Sequence, residues 1–220
     1  MLVVRPQTQV YGLAWGGGSY AEYLRVPAAG EFAARPASLD VAHAAALSMA
    51  GMTALGALDT AALTPGEVLL LVGGAGGIGT ARTEDQAYLR RLGAAETVDY
   101  TQDDVVEAAR ASHPGGVDAV LDVVSGAVAL GHIAQALRPG GRLLSTVYAT
   151  DPAQFAERGI SAVNIVRPQG AEVLDRLSRM VEARALWVPV HETLPLEEAA
   201  RAQELLQHGH VRGKLVLTVA

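Results

Sequence analysis

The sequence predicts an α/β protein built on a parallel sheet, and three observations carry that prediction. Strand-like and helix-like segments alternate along most of the chain with short links, as in a parallel sheet with crossover helices. One run, Val68–Val72 (VLLLV), is apolar at every position, as expected of a strand buried on both faces. Directly after it comes the glycine-rich segment GGAGGIG.

The elements follow in order. Residues 10–27 read as short extended pieces around a glycine turn at Gly16–Gly18, with Tyr20, Tyr23 and Val26 in a strand that has one wet face. PASLD then introduces an Ala-rich helix from about Val41, with Ser38 or Asp40 available as its cap. Thr64-Pro65-Gly66-Glu67 is a turn into the apolar strand. After the glycines, Thr83–Leu92 (TEDQAYLRRL) has the Thr-x-x-Gln form of a capping box and reads as a short helix that Gly93 stops. Thr97–Tyr100 is a short strand, Val105–Ala111 a short helix and Val117–Val124 a second central strand. Val128–Leu137 gives a helix, Arg138–Gly141 a turn and Arg142–Val147 another strand. Beyond Ala162–Val166, a helix over Ala171–Ala185 carries Val173, Leu174, Leu177, Met180 and Val181 on one stripe. Val188–Val190, a helix over Glu197–Gln207 and a strand over Lys214–Val219 complete the pattern.

Composition narrows the function classes. Half of the 220 residues are apolar and 18% are charged, so the chain has ample material for a buried core. The absence of cysteine removes disulfides, Cys-ligated zinc, iron–sulfur centres and a thiol nucleophile. A net charge of −6, a pI near 5.5 and a single lysine, Lys214, argue against a nucleic-acid surface. The opening MLVVRPQTQ lacks the apolar core of a signal peptide. Val41–Leu58 carries no Asp, Glu, Lys or Arg, yet its Ala, Gly and Thr content and His43 make it a buried helix rather than a membrane span. The expectation is a cytoplasmic protein with a small-molecule substrate and neither nucleic-acid nor membrane partners.

The strongest chemical signal is Gly74-Ala75-Gly76-Gly77-Ile78-Gly79, a G-x-G-x-x-G placed after a strand. Glycines at these positions allow a tight turn and let backbone N–H groups approach a pyrophosphate. A plain structural turn is the competing reading. Spacing alone also nominates Asp99, about 20 residues on, as the acid that would bind the ribose hydroxyls of NAD. Other candidates are weaker. The six histidines show no metal-ligand spacing, and neither Ser19 nor Ser125 sits in a nucleophile elbow. Asp122, ending a strand, reads as a structural hydrogen-bond partner, and Glu197 and Glu198 as first-turn helix acids. No residue stands out as a general acid or base, which suits hydride transfer, where a cofactor carries the hard step.

The segments VYGLAWGGGSYAEYLRVPA, PASLDVAHAAALSMAGMTALGAL, TPGEVLLLVGGAGGIG, LRRLGAAETVDY, GVDAVLDVVSG, LRPGGRLLST, LPLEEAARA and GHVRGKLVL follow one another as in a medium-chain dehydrogenase/reductase. The chain resembles in particular the zinc-independent quinone oxidoreductase and enoyl reductase branch. That resemblance implies a Rossmann-like domain, over 41–185, beside a partial GroES-like β domain over 1–40 and 186–220. It also implies NADPH as hydride donor to a quinone or a conjugated enone, NADH being the less favoured nucleotide, no metal, and a homodimer. Carried over by motif, Gly74, Ala75, Gly76, Gly77, Ile78 and Gly79 would line the pyrophosphate, and Thr53 would lie near the nicotinamide. Arg82 and Thr83 match the turn that reads the adenosine 2′-phosphate, and Tyr100 a residue beside it. Val124 and Thr146 fall where the backbone passes the ribose and nicotinamide. Arg82 also reads as an ordinary exposed arginine.

Two departures from the family pattern stand out. The sequence joins it near Val10-Tyr11-Gly12, so most of the substrate domain's strands have no counterpart here. After Gly79 the chain runs straight into Thr80-Ala81-Arg82-Thr83-Glu84, which resembles the end of the family's second strand and its following turn. About one helix and one strand are missing between them. The short helix that follows begins with Glu84 and Asp85, acids expected to repel a diphosphate.

Overall fold

The computed structural model describes residues 9–14, 18–27, 30–73, 80–208 and 211–219. The chain divides into two compact units, one of residues 1–54 with 168–220 and one of residues 55–167. The glycine motif 74–79 lies outside the described residues.

The central unit is a four-stranded parallel sheet in the order β3-β4-β5-β6, from β3 (Leu69–Val72), β4 (Val117–Asp122), β5 (Leu137–Ser145) and β6 (Ser161–Asn164). Its core joins Val120, Leu130, Leu137 and Leu143 on one side, with Ala119, Leu121, Leu144 and Ile165 on the other. β5 takes in the predicted Arg138–Gly141 turn as a bulge, since Val117 faces Leu137 and Ala119 already faces Arg142. At the amino ends of the strands Glu67 pairs with Arg142 at 2.7 Å and Arg138 with Asp118 at 2.6 Å. The Val68 N–H also donates to Asp118, so charges from three neighbouring segments staple that end. The turn ahead of β3 forms as expected, with Gly66 at φ +95° and the Glu67 N–H on the Thr64 carbonyl.

On the β3 side the structure departs from the sequence reading. Leu69, Leu70 and Leu71 are only partly buried, and Val72 alone of this strand is enclosed. The cause is the neighbour. The Thr80 N–H donates to the Leu71 carbonyl, the Ala81 N–H donates to that of Val98, and Ala81 bridges Asp99 in parallel. Two residues thus fill the slot between β3 and 97–99 where a whole strand is expected. The predicted strand Thr97–Tyr100 shrinks to that one bridge, because a ladder needs a partner of similar length. Below it an open cleft of about 290 Å³ runs along Leu69–Leu71, Ala94–Glu96 and Val98.

The helices of this unit are α2 (Gln86–Arg91), α3 (Val105–Ser112) and α4 (Ala127–Ile133). Asp104 caps α3 by accepting from the Val106 and Glu107 N–H groups. The capping box predicted at Thr83 does not form. A 3-10 turn, Thr83–Asp85, precedes α2; the Thr83 hydroxyl donates to Asp99 instead, and Gln86 Nε2 donates to the Ala81 carbonyl. A capping box would use the Thr83 oxygen as an acceptor for a backbone N–H, and that side chain is turned instead to the Asp99 carboxylate, a strong charged acceptor for its proton. Gly93, at φ +98°, ends α2 as expected.

The other unit carries an antiparallel pair, β1 (Val10–Leu13) with β2 (Glu31–Ala34), and a parallel pair, β7 (Val190–Pro195) with β8 (Lys214–Thr218). α5 (Ala171–Glu182) buries Leu174, Leu177 and Val181, and the buried Tyr11 hydroxyl donates to the Leu174 carbonyl at 2.6 Å. α6 (Ala199–His208) links the parallel pair. The described residues from Gly18 to Val26 form no strand, and Tyr23 is 90% exposed. That expectation fails because, among the described residues, β1 and β2 pair only with each other. α1 (Val41–Ala61) starts where the sequence placed it, capped by Asp40, which accepts from the His43 N–H. It is long and apolar enough to cross a membrane by length and composition, and half of its most apolar window is buried inside the protein. A Cβ on Gly51 would meet Leu177, so α1 and α5 touch closely there.

Candidate nucleotide site at the carboxyl edge of the sheet

The carboxyl ends of β3, β4 and β5 form a continuous, well-bonded rim. The Val123 N–H donates to the Val72 carbonyl and the Thr146 N–H to that of Asp122, extending the ladder one residue past each strand. Asp122 is fully buried; its Oδ1 accepts from the N–H groups of Val124 and Ser125, folding the loop back over the strand end. This is the structural role its position suggested. Buried Ser145 does the same for its own loop, accepting from the Val147 and Ala149 N–H groups. Val124, 63% exposed, and the half-buried Thr146 therefore both lie on this rim. Gly73 leaves β3 at φ +96°, and a Cβ there would sit 2.8 Å from Val123 and 2.9 Å from Val124. Only glycine fits that exit, so the chain enters the glycine motif through a passage that excludes side chains.

Beside this rim the structure brings Arg82, Thr83 and Tyr100 together. Arg82 Nε donates to the Tyr100 hydroxyl at 3.3 Å, and among the described residues Arg82 forms no ion pair. Its terminal nitrogens are thus available to a dianion, for which the guanidinium fork is suited. Of the two acids expected to repel a phosphate, Asp85 is buried, which leaves Glu84 at the surface. Thr53 lies in the other unit, within α1, its hydroxyl donating to the Met49 carbonyl.

Asp99, the spacing-based candidate, is already engaged. Its Oδ1 accepts from the Thr101 N–H at 3.0 Å and the Thr101 hydroxyl at 2.6 Å, and its Oδ2 from the Thr83 hydroxyl. These bonds, that of the Thr101 hydroxyl foremost, hold its carboxyl below the usual carboxylate range. Its part in fixing the turn was missed in the sequence. The Asp-Tyr-Thr spacing, in which an aspartate accepts from the backbone two residues on, is the signal that could have found it.

The family described as zinc-binding dehydrogenase matches residues 92–217. The donor set was tested against the metal in that description. The chain has no cysteine, and among the described residues no three His, Asp or Glu side chains cluster for a metal ion, whereas a catalytic zinc takes three protein ligands. These residues do not fit zinc. The glycine exit, the rim and the free guanidinium do fit the phosphate-bearing end of a dinucleotide.

The chain is 28% identical to an NAD-dependent alcohol dehydrogenase of Saccharolobus solfataricus, a match covering 91% of this chain and 64% of that protein. It is 26% identical to a chloroplastic NADPH-dependent alkenal/one oxidoreductase of Arabidopsis thaliana, over 91% of this chain and 53% of the relative. Its fold matches the quinone oxidoreductase from Coxiella burnetii with a TM-score of 0.75 and 31% identity, covering 86% of this chain and 64% of that one. The chain thus spans a little over half to about two thirds of the length of proteins it resembles. On a family match over more than half of its residues, this chain belongs to the zinc-binding dehydrogenases of the medium-chain dehydrogenase/reductase superfamily, with a shortened Rossmann-like sheet.

Proposed function

We propose that this chain is a metal-independent oxidoreductase that uses NADPH to reduce a quinone or a conjugated enone. The observation that carries the reading is the Arg82–Tyr100 pair just after Thr80–Ala81, which leaves the terminal guanidinium nitrogens without an ion-pair partner among the described residues at the turn where an adenosine 2′-phosphate would lie. A second support is the rim itself, whose loops are pinned by Asp122 and Ser145. NADPH, when bound, supplies the hydride. The chain's own task is then positional: Arg82 holds the 2′-phosphate, and the backbone at Val124 and Thr146 borders the ribose and nicotinamide. Exposed Val124 and Val147 offer an apolar surface that sheds water easily from the reacting face. NADH is the less favoured nucleotide. In this reading the protein works in the cytoplasm as a homodimer, and the exposed Val163 in β6 and Val166 just after it support association.

A second reading, a redox-silent binding protein, draws on the cleft beside β3, since a sheet short of a strand suits a partner as well as a reaction. Fluorescence titration of the purified chain with NADPH and NADH separates the two. Micromolar NADPH binding, weakened at least tenfold in Arg82→Ala, supports the enzyme. A cooperatively folded sample that binds neither nucleotide contradicts it.

A further inference from the structure

Arg82 and Asp99 carry opposite charges on two turns that the Ala81–Asp99 bridge brings side by side, yet they do not pair. Among the described residues no cation lies within ion-pair distance of Asp99, and Arg82 Nε is directed to Tyr100. What keeps them apart is visible. The Thr83 and Thr101 hydroxyls and the Thr101 N–H occupy both carboxylate oxygens, so Asp99 is satisfied without a guanidinium. Thr83 opens a 3-10 turn whose N-terminus no side chain caps, and its hydroxyl proton goes to Asp99.

We propose that Asp99 is a specificity-determining residue that lowers the preference for NADPH over NADH, and that Thr83 and Thr101 keep it from capturing Arg82. The inference rests on the dinucleotide reading above. A 2′-phosphate drawn to Arg82 meets a fixed, uncompensated carboxylate across the turn. NADH, with a ribose hydroxyl there, carries no such charge. Like charges a few ångströms beyond contact in a wet site repel by about 0.6 to 1.4 kcal/mol, roughly three- to tenfold in affinity at low salt. The same geometry gives Thr83 the opposite sign. Without its hydroxyl, Asp99 Oδ2 is free to accept from Arg82, and the cation is lost to the phosphate.

Two near-isosteric variants of the full chain test this, titrated with NADPH and NADH at 20 mM and 500 mM salt. Asp99→Asn keeps an oxygen for Thr101 and an amide for Thr83. It is expected to tighten NADPH three- to tenfold at low salt, to leave NADH within twofold, and to lose the gain at high salt. Thr83→Val is expected to weaken NADPH at least threefold with NADH little changed. A purely structural role for Asp99 predicts the reverse for Asp99→Asn, weaker NADPH through a loosened turn, and that result overturns the proposal. An unchanged NADPH/NADH ratio overturns it equally. If the unaltered chain binds neither nucleotide, the dinucleotide reading itself fails and the inference with it.

Discussion

β3 and β4 lie side by side in one sheet and are buried in the reverse order of their sequences. β3 reads Leu-Leu-Leu-Val and is mostly half-exposed; β4 reads Val-Asp-Ala-Val-Leu-Asp and buries every residue but Asp118, including an aspartate. β4 has a full-length strand on each flank, whereas β3 has one on one flank and Thr80–Ala81 on the other. Burial in a parallel sheet is therefore conferred by neighbours, and composition records only the fold that the strand is suited to. The side that lost its neighbour is also the side that carries the turn of Arg82 and Thr83 with its partner Tyr100. On the function proposed above, the half of the site that holds the phosphate is built on the weaker half of the sheet.

The sharpest way to test the contrast is truncation on each side. Leu143→Ala in β5, a fully buried site, is expected to cost about 3 kcal/mol in urea unfolding, through lost transfer and an unfilled cavity. Asp122→Ala is expected to cost about 2 kcal/mol, because the Val124 and Ser125 N–H groups lose their acceptor at the rim. Leu70→Ala in β3 is expected to cost about 1 kcal/mol, since its side chain already borders the open cleft. Equal losses at Leu143 and Leu70 would break the comparison.

The smallest effect is acid sensitivity. Glu67 is held low chiefly by Arg142, Asp118 chiefly by the Val68 N–H, and Asp99 chiefly by the Thr101 hydroxyl. Their folded pKa values lie below the unfolded ones, near 4. The stability they contribute is thus present above that value and lost as pH falls through the folded values. Unfolding midpoints should fall from about pH 5 downward, and Glu67→Gln should flatten that fall. All three groups are solvent-accessible, so the change is small.

Much of the architecture was legible locally. Asp40 capping α1, the Thr64–Glu67 turn, the stop at Gly93 and the apolar stripe of α5 each depend on residues a few positions apart. What failed depended on distant partners. The Thr83 hydroxyl went to Asp99, sixteen residues on, rather than to its own helix. Tyr20 and Tyr23 found no strand to join, and the exposure of β3 followed from a neighbour reduced to two residues. The family resemblance picked out Arg82, Thr83 and Tyr100, and the structure brings these three residues together. The Thr83 half of the lock at Asp99 was not legible, because it joins two turns that the bridge at Ala81 places side by side.

The most direct measurement is amide hydrogen exchange of the folded chain with and without saturating NADPH. The account predicts that without ligand 69–71 and 80–83 exchange faster than 119–121 and 143–145. It also predicts that NADPH slows exchange at 80–83, 99–101 and the rim loops 123–125 and 146–148. Uniform protection across the sheet, or no response to NADPH at 80–83 and 99–101, would contradict it.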